Sequence, residues 1–158
     1  AEQLGDKEVT RFLNYYFHTM GRIIHKHGGT LDKFIGDAVM VFFGDPQSRG
    51  IKEDAIATVE MALEMNEATQ PLDLQIRIGI HSGPALVGNF GTEQHMNYTA
   101  IGQTVNMASR LENNASPGRI LISDATYQLV SDRFKCEERG LITVKGVETP
   151  IMTYWVHG

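Results

Sequence analysis

The chain alternates between stretches in which apolar residues recur with helical spacing and stretches that read as strands. From Glu8 to His27 apolar residues recur at steps of three and four, which predicts an amphipathic helix that ends at Gly28-Gly29. Similar spacing predicts helices over Glu53–Glu67 and Thr104–Asn114. A shorter helix is predicted up to Val130, with Asp124 as its N-cap.

Segments with the patterns of β-strands lie between these helices and after the last of them. Thr30–Ile35 and Ala38–Phe43 flank a Gly36-Asp37 turn, which predicts a hairpin with an aspartate at its tip and a second strand buried on both faces. Ala85–Val87 is expected to pair back onto the strand that precedes it, with a polar loop over Gly88–Asn97. The remaining predicted strands are Gln75–His81, Ile120–Ser123, Gly140–Lys145 and Thr149–Val156. This order predicts an α+β fold, one sheet with helices on one face. Because the chain opens on a helix, we expect that sheet to lack a leading strand.

Composition narrows the class of protein. The chain has 158 residues, 42% hydrophobic and 21% charged, which predicts one globular domain over residues 1–158. No apolar run approaches the roughly 20 residues that span a bilayer, so any membrane contact is expected only through segments outside this chain. The single cysteine, Cys136, favours a reducing compartment, and we expect a cytoplasmic catalytic domain, either on its own or as part of a membrane-anchored protein. The net charge of −5 argues against a nucleic-acid partner.

Several well-known catalytic motifs are absent from the sequence. It has no phosphate-binding Gly-Lys-Ser/Thr loop, no dinucleotide-binding glycine motif after a strand and no paired Cys-x-x-Cys. The segment Gly79–Gly83 lacks the spacing of a serine-hydrolase nucleophile elbow. Gly88–Gly91 matches the GXXG loop of a KH module, but a strand precedes it, so a simple turn is the better interpretation. The histidines are scattered and predict no metal cluster.

Two places in the chain carry candidate chemistry. Asp37, at the tip of the first hairpin, could project as a hard-cation ligand, although Gly-Asp is also an ordinary turn dipeptide. Asn106 and Arg110 lie one helical turn apart, so an amide and a guanidinium converge on one point, an arrangement that suits a sugar hydroxyl and a phosphoryl oxygen. The alternative for Arg110 is a surface residue that pairs with Glu112 or with solvent.

Four blocks of the sequence together resemble the class III adenylyl and guanylyl cyclase catalytic domain. They occur in the family's order and read GGTLDKFIGDAVMVFFGDP (28–46), IRIGIHSGPALVGNFG (76–91), NYTAIGQTVNMASRLE (97–112) and VKGVETPIMTYWV (144–156). The resemblance implies a ferredoxin-like sheet with extra C-terminal strands. The family's first strand, which bears its first metal aspartate, has no counterpart in this chain. Asp6 does not fit that motif and is not assigned to it.

The resemblance implies a nucleotide cyclase that uses two divalent cations, Mg²⁺ or Mn²⁺. The ribose 3′-hydroxyl attacks the α-phosphate, and pyrophosphate leaves. By matching motifs, Asp37 is implied to hold metal, Asn106 to orient the ribose, Arg110 to stabilise charge on the α-phosphoryl group, and Lys145 to hold the terminal phosphates.

The expected substrate follows from two further matching positions. Lys33 and Thr99 resemble the residues that read adenine in cyclases acting on ATP, which implies an adenylyl cyclase that makes cyclic AMP for intracellular signalling. The family's active sites lie between two catalytic domains, so a homodimer is implied. The alternatives are a guanylyl cyclase and a non-catalytic cyclase-like domain that binds nucleotide. A ferredoxin-like nucleic-acid module is disfavoured by the charge.

Overall fold

The computed structural model describes residues 5–158, which form four α-helices and eight strands. The helices are α1 Asp6–Lys26, α2 Ile51–Thr69, α3 Gln103–Asn114 and α4 Asp124–Val130, with a short 3-10 helix at Gln70–Leu72. The strands are β1 Thr30–Ile35, β2 Ala38–Phe42, β3 Ile78–Ile80, β4 Leu86–Gly91, β5 Met96–Ile101, β6 Ile120–Ser123, β7 Lys135–Ile142 and β8 Ile151–His157. The predicted α+β class is confirmed.

The strands form three separate ladders. The central sheet has the order β3-β6-β8-β7, with β3 parallel to β6 and the other neighbours antiparallel. The hairpins β1–β2 and β4–β5 each form a two-stranded antiparallel sheet. No ladder joins β2 to β3 within residues 5–158, yet Val39, Val41 and Ile78 pack against the same cluster of α1 and α2 side chains. The first hairpin and the central sheet are therefore held together by shared helices.

Helices cover both faces of the central sheet, which differs from the predicted placement on one face. Ile120 and Ile122 of β6 pack in a cluster with Val59 of α2 and Val130 of α4. Leu121, which lies between them on the strand, packs in a second cluster with Leu111 of α3. Because successive strand residues point to opposite faces, an unbroken apolar strand such as β6 supports a helix layer on each side.

The segment expected to be a polar loop is a hairpin. The strand β4 pairs with β5 in a register that places Leu86 opposite Ile101 and Gly88 opposite Thr99. The predicted pairing of Ala85–Val87 with the strand before it is wrong. Polar residues did not prevent the ladder, because its hydrogen bonds come from the backbone and the hairpin is largely exposed. Gly91, with φ +132°, closes the turn where a Cβ would lie 2.0 Å from the His95 carbonyl oxygen.

Two smaller expectations are also corrected. The N-cap of α4 is Ser123, whose hydroxyl accepts from the Thr126 backbone N–H at 3.4 Å, and Asp124 is the first helical residue. The first strand of the final pair begins earlier than predicted, at Lys135, and ends at Ile142. Its early residues are mostly polar and exposed because β7 is an edge strand, so they lack the apolar signal of a buried strand.

Candidate active site

Lys33 and Thr99 come together around a buried carboxylate, that of Asp32. Thr99, on β5, donates its hydroxyl to Asp32 Oδ1 at 2.9 Å and to Oδ2 at 2.8 Å. Lys33, next to Asp32 on β1, has its Nζ 3.6 Å from Asp32 Oδ1. The Asp32 side chain is 1% exposed, whereas that of Lys33 is 48% exposed. An exposed ammonium donor from the first hairpin and a buried threonine hydroxyl from the second thus contact the same carboxylate.

Asp37 lies at the exposed tip of the β1–β2 hairpin. Tyr16 of α1 lies close enough to Asp37 to be affected by its charge. Burial is the larger cause and the negative charge of Asp37 the smaller cause of a raised pKa of the Tyr16 phenol. Residues 5–158 contain no group of three or more His, Cys, Asp or Glu side chains arranged to hold a metal ion. Mg²⁺ usually takes one or two protein carboxylates and completes its shell with water and substrate phosphates. A single exposed carboxylate at this tip fits that ligand set.

Arg110 and Lys145 are brought into one region by α3. Gln103, at the start of α3, donates from Nε2 to the Lys145 carbonyl at 3.1 Å. Arg110, near its other end, donates from Nε to the Thr143 carbonyl at 3.3 Å. The exposed Asn106 lies on the helix between them. The structure therefore places an amide, a guanidinium and an ammonium along one helix and the loop that it contacts.

The hairpin tip and the α3 region are not joined within one protomer. No hydrogen bond or ion pair in the described chain connects Asp37 to Asn106 or Arg110, nor does Arg110 pair with Glu112 there. Asp37 projects from the first hairpin, which reaches the rest of the protein through α1, α2 and the β4–β5 hairpin. The candidate residues thus form three groups: the Lys33–Thr99 pair, the Asp37 tip and the α3 region.

Comparisons with known proteins match the whole chain to one family. The family model described as the adenylate and guanylate cyclase catalytic domain matches residues 1–158. The chain belongs to this cyclase family. The crystal structure of the adenylyl cyclase CyaB from P. aeruginosa superposes with a TM-score of 0.96 at 45% identity, covering 99% of this chain and 86% of that one. The resemblance to class III cyclases is confirmed.

Curated relatives of this cyclase domain carry both names of the family. "Guanylate cyclase 32E" of Drosophila melanogaster is 37% identical over 94% of this chain and 13% of the relative. "Adenylate cyclase" of Mycobacterium bovis is 34% identical over 92% of this chain and 34% of the relative. The domain thus spans about a third of the second relative and much less of the first. In the described part of the chain, no helix is both long and apolar enough to cross a membrane.

Sequence reasoning missed three residues near the candidate site of this cyclase domain. Asp32 holds Thr99, Gln103 holds the backbone at Lys145, and Tyr16 lies near Asp37. For Asp32 the sequence did contain a signal, namely a carboxylate inside a predicted strand and next to a lysine. If such a carboxylate faces inward, it needs a hydrogen-bonding partner in the interior. Tyr16 was predicted only as part of the apolar stripe of α1, and nothing in the sequence distinguished Gln103.

The cyclase domain also contains a half-buried histidine beside hydroxyl groups. His81 Nδ1 lies 2.7 Å from Ser123 Oγ, and Ser82 Oγ lies 2.9 Å from Thr126 Oγ1. Burial lowers the pKa of His81, so its neutral form is favoured. His81 thus pairs with Ser123 and not with its sequence neighbour Ser82.

Proposed function

We propose that this cyclase domain is an adenylyl cyclase that converts ATP to 3′,5′-cyclic AMP and pyrophosphate for intracellular signalling. The ribose 3′-oxygen forms a bond to the α-phosphorus as the bond from that phosphorus to the α,β-bridging oxygen breaks. The 3′-hydroxyl loses its proton, and pyrophosphate carries away the bonding electrons. Such a reaction depends on positioning and on electrostatic stabilisation of the phosphoryl oxygens.

The observation that carries this proposal is the meeting of Lys33 and Thr99 around Asp32. Lys33 supplies a donor for N1 of adenine, and Thr99 supplies an acceptor for the 6-amino group. Guanine presents a protonated N1 and a 6-carbonyl at the same edge. The Lys33 donor would therefore face the N1–H donor, and the Thr99 acceptor would face the carbonyl acceptor. A site that leaves polar groups mispaired discriminates strongly against the wrong base.

The α3 region supplies the groups for the triphosphate and ribose. Arg110 presents a planar, permanently charged fork to the α-phosphoryl oxygens, and its Nε contact with Thr143 helps to fix the plane of that fork. Asn106 orients the ribose from the same helix, and Lys145 holds the terminal phosphates. Asp37 would hold divalent cations, Mg²⁺ or Mn²⁺, which supply positive charge to the triphosphate and lower the pKa of the attacking hydroxyl.

A homodimer would bring Asp37 of one protomer to Asn106 and Arg110 of the other. This arrangement is supported by large apolar side chains that remain exposed near the candidate residues: Leu86 and Ile101, a cross-strand pair beside Thr99, are 62% and 42% exposed, and Ile35 beside the hairpin tip is 58% exposed. Clusters of exposed apolar residues mark interaction surfaces. Each dimer would contain two equivalent sites.

Mixing two inactive variants tests the shared site. Asp37→Ala and Arg110→Ala are each expected to be inactive as homodimers. After unfolding and refolding together in equal amounts, about half of the dimers would be mixed, each with one intact site, so about a quarter of wild-type activity should return. Activity that stays at the level of the separate variants would contradict the shared site.

The substrate is tested by competition. The purified protein is given ATP and GTP together with Mn²⁺ or Mg²⁺, and both cyclic products are separated and quantified. We expect cyclic AMP to predominate. Predominance of cyclic GMP would favour the second candidate function, that of a guanylyl cyclase. This alternative is supported by the 37% identity to a relative named as a guanylate cyclase. Nucleotide binding without any cyclic product would point to a regulatory domain.

A further inference from the structure

Asp32 is a buried carboxylate on a strand that is otherwise mostly exposed. The ladder between β1 and β2 shifts register between Leu31 and Lys33, which leaves Asp32 as the extra residue of a β-bulge. A bulge changes the direction in which a side chain points. The Asp32 side chain is accordingly 1% exposed and contacts β5, the second strand of the other hairpin.

Both oxygens of this carboxylate accept hydrogen bonds from β5. The Thr99 hydroxyl lies 2.9 Å from Oδ1 and 2.8 Å from Oδ2, and the Ala100 backbone N–H donates to Oδ2 at 2.9 Å. The Ala100 carbonyl, at 3.4 Å from the same hydroxyl, is a longer and uncharged alternative acceptor. The Thr99 hydrogen is therefore directed to Asp32.

This contact decides what the Thr99 hydroxyl can offer to a ligand. A free threonine hydroxyl has one donor hydrogen and two acceptor lone pairs, and it rotates to suit its partner. With its hydrogen held by Asp32, the oxygen can only accept. An acceptor pairs with the 6-amino group of adenine and repels the 6-carbonyl of guanine.

We propose that Asp32 is a specificity-determining positioning residue, which holds the Thr99 hydroxyl as an acceptor and thereby favours 6-aminopurine over 6-oxopurine nucleotides. The inference rests on the proposed function, in which Thr99 faces the base. Asp32 acts through Thr99 and needs no contact with the nucleotide.

The test compares kcat/KM for ATP and GTP in the wild type and in Asp32→Asn. The buried Ala100 N–H needs an acceptor, so the amide oxygen takes the Oδ2 position and the amide nitrogen faces Thr99. That nitrogen, at the Oδ1 position, then donates to the Thr99 oxygen, and the acceptor left at the Oδ2 position is a neutral amide oxygen in place of a carboxylate. The Thr99 hydrogen is held less strongly and can turn to a purine 6-carbonyl. We expect the ATP-to-GTP ratio of kcat/KM to fall about tenfold or more. An unchanged ratio overturns the proposal.

A double-mutant comparison separates positioning from a purely structural role. Thr99→Val removes the hydroxyl and keeps the shape, so adding Asp32→Asn to it should change the ratio less than about twofold. An equal fall in both backgrounds would show that Asp32 acts on the fold alone, which overturns the proposal. Thr99→Ser keeps the hydroxyl and should retain the wild-type ratio while Asp32 is present.

A further measurement keeps Asp32 and Thr99 intact in case Asp32→Asn does not fold. Lys33→Ala removes the donor to N1, and inosine triphosphate carries the 6-carbonyl in place of the 6-amino group. If Thr99 is held as an acceptor, this variant still prefers ATP to inosine triphosphate, and equal use of both overturns the proposal. A wild type that prefers GTP overturns the proposed function. A wild type that prefers ATP, with an unaltered ratio in Asp32→Asn, overturns only the role of Asp32.

Discussion

The Nε of Arg110 donates to the backbone carbonyl of Thr143 at 3.3 Å, which ties α3 to the segment that leads into Lys145. This bond uses one nitrogen of the guanidinium and leaves the two terminal nitrogens for a ligand. An arginine anchored in this way presents a fork whose orientation is set before the ligand arrives. Preorganised charge of this kind acts on a transition state without the cost of reorganisation.

Arg110→Ala is expected to lower kcat about 10²- to 10³-fold, while KM for ATP changes by only a few-fold, because the lost interaction is strongest in the transition state. Steady-state kinetics of cyclic AMP formation measure both constants. Arg133→Ala is a matched control, since Arg133 is a surface arginine whose NH2 nitrogen lies 3.9 Å from Glu53 Oε2, and it should leave both constants unchanged. A rise in KM with unchanged kcat would contradict the role given to Arg110.

Lys33→Glu is expected to lower the preference for ATP over GTP by about tenfold or more, because a carboxylate cannot donate to adenine N1 and a mispaired polar group costs about 1 to 3 kcal/mol. The ratio of kcat/KM for the two nucleotides measures the effect. Lys52→Glu makes the same charge reversal on α2, where Lys52 pairs with Asp132 at 2.9 Å, and should leave the ratio unchanged. Equal ratios in Lys33→Glu and the wild type would rule out base reading by Lys33.

Gly79→Ala is expected to lower the free energy of unfolding by about 1 to 3 kcal/mol or more, because the β3 backbone packs directly against α3. A Cβ at this position would lie 2.2 Å from the Glu112 backbone nitrogen and 2.6 Å from the Ala108 carbonyl oxygen. Urea unfolding followed by circular dichroism gives the free energy. Since α3 bears Asn106 and Arg110, the displacement should also reduce activity.

Gly21→Ala provides the opposite control for that experiment. Gly21 lies within α1, and a Cβ there meets nothing within 4 Å. An alanine in a helix is favoured over glycine by about 0.5 to 1 kcal/mol, so this variant should be more stable than the wild type. If both glycine variants shifted stability in the same direction, the packing argument for Gly79 would fail.

His81 predicts an acid-dependent loss of stability. Burial lowers the pKa of His81 below its ordinary value of 6.5, so the unfolded chain binds this proton more readily than the folded one. Stability is therefore full above that ordinary value and falls as the pH drops through 6.5 toward the lowered pKa. Thermal melts of the wild type and His81→Asn from about pH 7.5 to pH 5 should show a smaller loss in the variant. Parallel losses would contradict this contribution of His81.

Local hydrophobic and turn patterns in the sequence were sufficient to predict most of the helices and strands. The apolar stripe from Glu8 to His27 predicted α1, and the Gly36-Asp37 turn predicted the first hairpin, because helix and strand periods depend on neighbouring residues. The β4–β5 hairpin was missed, since its strands are too polar to give a buried-strand signal and its ladder comes from backbone groups.

The sequence by itself determined which chemical groups are present: a carboxylate at a hairpin tip, an amide and a guanidinium one turn apart, and the four blocks that identify the family. Only the tertiary structure decided which of them meet. Asp32 and Thr99 are separated by 67 positions, and they touch because a bulge turns the carboxylate inward where two hairpins pack together. No periodicity encodes such a contact, because it depends on how separate elements are placed in three dimensions.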